Sequence, residues 1–164
     1  MRVSASINVV APPERVWETV SDPQQALSFM SGVTRWEVLS DEPTGLGARY
    51  RMLLRVGSAE VGGLIEVVEW TPARELAWTS VTGIDQRGRF RLRDAGQGRT
   101  RVELRLAYGV AGSGLTGWVA EHVAAPIVGG HVNRSVRQLK RLVEQRQARE
   151  RAAERPGVRA KSES

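Results

Sequence analysis

The stretch RTRVELRLAYGVAGSGLTGWVAEHVAAPIVGGHVNRSVRQLKRLV, residues 99–143, changes its apolar period midway. Val102, Leu104, Leu106 and Tyr108 alternate with Arg101, Glu103, Arg105 and Ala107, the pattern of a strand with one face buried. From Gly114 onward, Trp118, His122, Ala125, Gly129, Val132, Val136, Leu139 and Val143 recur at steps of three and four. That spacing lays a single apolar stripe along a helix of roughly 30 to 40 residues. Pro126 lacks an amide donor and predicts a kink about one third of the way along it. The chain therefore closes on one long helix that must bury its stripe against the strands before it.

Upstream of this switch the period is two almost throughout. Ala95-Gly96-Gln97-Gly98 is a hairpin turn, and before it Phe90 and Leu92 alternate with Arg87, Arg89, Arg91 and Arg93. Leu76, Trp78 and Ser80 follow the turn Thr71-Pro72-Ala73, and residues 59–70 read as a longer strand with a bulge expected at Gly62-Gly63. Tyr50, Met52 and Leu54 alternate with Arg49, Arg51 and Arg55, and Trp36 and Val38 mark one strand more. Val3, Ala5, Ile7 and Val9 form the first strand, which Pro12-Pro13 stops. Pro13 fits the first turn of a short helix carrying Val16, Trp17 and Val20, and a second short helix is expected over about residues 23–31. Past Val143 the stripe fades, so residues 1–145 read as the domain and 146–164 as a charged helical extension with a tail.

Composition narrows the function. The chain has 164 residues, one domain's worth, and contains no cysteine, which excludes disulfides, thiol nucleophiles and Cys-based zinc sites. His122 and His131 are the two histidines, and their spacing is not that of a metal pair, so neither metal nor cofactor is expected. The net charge of +6 rests on 22 arginines and two lysines against 18 acidic residues. A bias toward arginine this strong follows genome composition as readily as phosphate recognition, and on charge alone nucleic acid is not the expected partner. No stretch of 18 apolar residues occurs, and no apolar leader is seen at the N-terminus, which points to a cytoplasmic protein without a transmembrane segment.

Strand, two short helices, six strands and one long helix is an unusual order. With Ala11-Pro12-Pro13-Glu14-Arg15-Val16-Trp17, Val20-Ser21-Asp22-Pro23, Gly47-Ala48-Arg49-Tyr50, Val68-Glu69-Trp70-Thr71-Pro72-Ala73-Arg74-Glu75-Leu76-Ala77-Trp78 and Val136-Arg137-Gln138-Leu139-Lys140-Arg141-Leu142, it resembles the START-like superfamily, also called SRPBCC, over about residues 2–145. The similarity is to its bacterial polyketide cyclase/dehydrase branch. It implies an α+β helix-grip fold: an antiparallel sheet of six or seven strands wrapped around the C-terminal helix, with an apolar cavity between them. A cavity of about 300 Å³, the small end for a ligand site, would cost about 7 kcal/mol if empty. The resemblance thus implies a filler, a small hydrophobic ligand of lipid-like, polyketide or isoprenoid type.

Candidate pocket residues on the inward face are Tyr50, Met52, Trp78, Ser80, Phe90, Leu104 and Tyr108, opposed by Trp118 and His122 on the helix; each can equally be plain core. His122, with Tyr50 or Tyr108, is a candidate general acid/base for a cyclase/dehydrase-type reaction in the same pocket, and His131 falls one residue off the stripe with no role assigned. Gly112-Ser113-Gly114-Leu115-Thr116-Gly117 spells a dinucleotide fingerprint, but no strand with an acidic ribose ligand follows, so the glycines read as a lead-in to the helix. Arg87, Arg89, Arg91, Arg93, Arg101 and Arg105 form a basic outer face if their strands pair. Such a face is a solvated surface or an interaction site for an acidic partner, a phosphate or a membrane periphery. Oligomeric state is not legible.

Overall fold

The computed structural model describes residues 1–109 and 115–155, with side chains described for residues 1–109 and 124–155. The chain runs β1 (Arg2–Val9), α1 (Pro13–Val20), α2 (Ala26–Phe29), β2 (Val33–Val38), β3 (Arg49–Val56), β4 (Ala59–Thr71), β5 (Glu75–Ser80), β6 (Gln86–Gly96), β7 (Arg99–Tyr108) and α3 (Leu115–Ala153). The switch in period at residue 114 therefore marks a real boundary. Pro13 opens α1 as expected, while the second helix is shorter than the predicted 23–31. Its first residues are spent on a turn in which the Asp22 carboxylate accepts the Gln24 amide at 2.9 Å.

The strands pair antiparallel in the order β1-β7-β6-β5-β4-β3-β2. Consecutive hairpins carry the chain from β2 to β7, and β1 returns across about a hundred residues to pair with β7, so that β1 and β2 are the two edges. This seven-stranded curled sheet with one long C-terminal helix is the expected α+β helix-grip architecture. The helix packs on β1, β7 and α2, burying Val128, Val132, Val136, Leu139 and Val143. At its upstream end Val128 takes the buried place that the 3.6 period gave to Gly129. Pro126 lies inside a continuous helix.

The bulge expected at Gly62-Gly63 lies elsewhere. Those residues keep unbroken register with Leu53 and Met52, and the shift occurs between Val67 and Glu69 opposite β5, turning Val68 outward. The glycines instead permit close backbone approach: a Cβ on Gly63 would strike the Thr82 carbonyl, and one on Gly83 the Gly62 carbonyl. The turn after β5 can then stay on β4, where the Val81 amide donates to the Leu64 carbonyl at 2.7 Å.

Candidate functional site

Alternation along the strands decides which side chains face α3. Tyr50 and Met52 from β3, Ile65 and Val67 from β4, Trp78 from β5, Phe90 from β6 and Leu104 from β7 all point inward and are buried. Apolar area drives this face inward, and the rings settle into edge-on and tilted pairs: Phe29 with Phe90 at 6.0 Å, Trp78 with Phe90 at 6.1 Å, and Trp36 with Tyr50 at 5.1 Å. Five aromatic side chains thus converge under the loop between α1 and α2.

These rings leave little space. A crevice of about 20 Å³ is lined by Phe29, Trp36, Tyr50, Trp78 and Phe90, with Asp22 on its wall. A second space of about 20 Å³ lies deeper, between Met52, Trp78, Leu104 and Val132. A third, of about 120 Å³, opens toward the start of α3 between Val56, Ile84, Leu106, Tyr108 and Val128. Of the residues singled out from sequence, Tyr50, Trp78 and Phe90 share the first space, Met52, Leu104 and again Trp78 the second, and Tyr108 borders the third. Ser80 lines none of them; its hydroxyl accepts the Gln86 amide at 3.1 Å in the turn after β5. Trp118 and His122 fall among residues whose side chains are not described, and Gly112 and Gly114 lie outside the described residues.

The polar groups of this interior are unevenly satisfied. Burial pushes the Tyr50 phenol above its usual range, so it stays protonated and donates to the Pro43 carbonyl at 2.6 Å. One oxygen of the Asp22 carboxylate accepts the Gln24 amide. The indole N–H groups of Trp36 and Trp78 are buried and have no acceptor among the described residues, a state that costs about 1–3 kcal/mol each. Trp36 is visible in the sequence only as a strand residue, because its meeting with Tyr50 depends on the pairing of β2 with β3.

His131 is better connected than its place off the stripe indicated. Its Nε2 lies 3.0 Å from the Arg55 carbonyl, and its Nδ1 lies 2.9 Å from the Arg134 guanidinium and 3.3 Å from the Ser31 hydroxyl. Those partners fit the neutral ring with its proton on Nε2. Burial holds its pKa below the usual imidazole range and the Arg134 charge adds to that, outweighing the opposing hydrogen bond to Arg55. The ring also lies against Gly32, whose φ of +80° tolerates little but glycine.

On the opposite side of the sheet β6 and β7 do pair, and Arg87, Arg89, Arg91, Arg93, Arg101 and Arg105 all project outward. Part of that charge is balanced: Glu75 pairs with Arg89 and Arg91, and Glu103 with Arg105. Arg101 donates to Ser6 at 2.7 Å. Among the described residues no cluster of His, Asp and Glu is arranged to hold a metal, and no helix is long and apolar enough to cross a membrane.

Comparison with known proteins agrees with this architecture. A protein from Thermus thermophilus superposes with a TM-score of 0.77 at 23% identity, covering 89% of this chain and 99% of its own. The ZhuI aromatase/cyclase from Streptomyces sp. R1128 gives 0.75 at 20% identity, covering 90% and 95%. A START superfamily protein from Mycobacterium smegmatis gives 0.61 at 15%, covering 90% and 97%. At these identities the likeness shows the fold. No curated protein matches the chain. The family model described as polyketide cyclase / dehydrase and lipid transport matches residues 1–144, and with that span the chain belongs to this family.

Proposed function

We propose that this protein binds a small, flat, largely apolar molecule carrying a hydrogen-bond acceptor, held between the sheet and α3. The observation that carries the reading is that two side chains bordering one aromatic crevice, Trp36 and Trp78, have buried indole N–H groups without an acceptor among the described residues. An oxygen on the ligand would satisfy them, and Phe29, Tyr50 and Phe90 would supply apolar area. A ring system is larger than the 20 Å³ crevice, so binding requires the rings to part, with the loop between α1 and α2 as the movable wall. Membership in a family of cyclases, dehydrases and lipid carriers supports a hydrophobic ligand. Binding is favoured over acid–base catalysis because the Tyr50 hydroxyl of the crevice already donates its proton to the Pro43 carbonyl.

Tryptophan fluorescence titration with 9,10-anthraquinone and with anthracene tests this. Both should quench, and the quinone should bind at least fivefold tighter, an advantage that Trp78→Phe removes because about 1 kcal/mol of hydrogen bond is lost while the ring is kept. Quenching by neither compound, or equal affinity for both, would overturn the reading. Native mass spectrometry of protein from its own host would then identify the natural occupant.

A further inference from the structure

We infer that the outer face of the sheet holds a second binding site, a groove for a compact dianion, independent of the apolar interior. Register builds it. Arg2 on β1 and Arg87 on β6 are both Cα partners of Ala107 on β7, so two arginines flank one alanine with their Cα atoms about two strand spacings, or roughly 10 Å, apart. One row along, Arg105 pairs with Arg89, and these two lie between Ser4 and Ala77. Four long cationic side chains therefore rim a floor of short ones, and the resulting depression has a volume of about 740 Å³, within the range of small-molecule sites.

Charge is left over there. Like charges directly opposite on paired strands oppose folding, and the face tolerates Arg89 beside Arg105 by drawing them to Glu75 and Glu103, which stand outside the groove. Arg2 and Arg87 have no ion-pair partner among the described residues, and the hydroxyls of Ser4 and Thr79 make no hydrogen bond among them either. The groove thus carries an excess of two positive charges and two uncommitted hydroxyl donors. A dianion matches that excess, since two guanidinium forks can each engage an anionic oxygen pair. A phosphate monoester and a dicarboxylate share this chemistry. A nucleic acid strand would want rings to stack on, and the outward positions of β1, β6 and β7 offer none. A membrane would want apolar anchors, and the exposed apolar side chain here is Val68.

The test is calorimetric titration at pH 8 and constant ionic strength with inorganic phosphate and with succinate. Binding should saturate for at least one; phosphate alone identifies a phosphate ligand and succinate alone a dicarboxylate. The double variant Arg2→Gln/Arg87→Gln should weaken that binding at least tenfold. Arg137→Gln/Arg141→Gln, which removes the same charge from the exposed side of α3, should change it less than twofold. Thermal melts of both variants confirm that they are folded. Failure of both anions to saturate, or equal weakening in the two double variants, would overturn the site. So would tight binding of duplex DNA or phosphatidylserine vesicles, lost with Arg2 and Arg87, where neither small dianion binds.

Discussion

Gly88→Ala probes how tightly the interior is closed around Trp78. Gly88 is the cross-strand partner of Trp78, and a Cβ at that position would collide with the six-membered part of the indole. The ring has little room inside the sheet: it packs on Phe90, and each of the two interior spaces that Trp78 borders holds about 20 Å³. Relief requires a rotamer or backbone shift of the kind that costs about 1–3 kcal/mol in an overpacked core. Removing a strand glycine gives back about 0.5–1 kcal/mol, so a net loss of up to about 2.5 kcal/mol remains. In a chain of this size that lowers the melting temperature by up to roughly 10 °C. Urea unfolding supplies the free energies, and a double-mutant cycle with Trp78→Leu isolates the clash. Against leucine, which leaves room beside residue 88, Gly88→Ala should become neutral or stabilising. An equal effect of Gly88→Ala in both backgrounds would refute the claim that the indole occupies the place of that side chain.

Two further predictions concern pH. Glu144 accepts hydrogen bonds from Lys140 and from the Val10 amide, at 2.8 Å for the latter; burial pushes its carboxyl up, but these donors together hold it below the usual carboxylate range. Its contribution is present above its unfolded pKa and is lost as pH falls through the lower folded value, so Glu144→Gln should flatten the acid limb of a stability–pH curve below about pH 4.3. Because the side chain is partly exposed, the cost at pH 7 should stay under about 1 kcal/mol, and an unchanged acid limb would count against the hydrogen bonds that Lys140 and the Val10 amide donate to Glu144. His131, with its pKa lowered in the fold, binds a proton more readily when unfolded, so stability should decline as pH falls from about 6.5 toward the folded value. His131→Asn should remove that slope from melting curves measured between pH 7.5 and 5, and a variant with the wild-type slope would assign it to another group.

The sequence by itself determined which elements form and which way each strand faces. Side-chain alternation is a property of the backbone of one strand, so Arg87 to Arg93 could be placed outward and Phe90 and Leu92 inward without knowing any neighbour. The change to a 3.6 period is equally local, and it placed the start of α3 within a residue. Only the tertiary structure decided what meets what. That Arg2 and Arg87 flank Ala107 depends on β1 returning to β7, and that Trp36 lies on Tyr50 depends on the pairing of β2 with β3. His131 reads as a flanking residue until α3 sets its ring against Gly32 and the Arg55 carbonyl. The glycine pair Gly62-Gly63 shows the same division: local reasoning saw missing side chains and expected a bulge, whereas the approaching Thr82-Gly83 backbone is what those positions accommodate. How much of the interior is cavity was hidden for that reason too. Inward-facing rings are countable along a strand, but the space they leave is set by how rings from five different elements pack against one another.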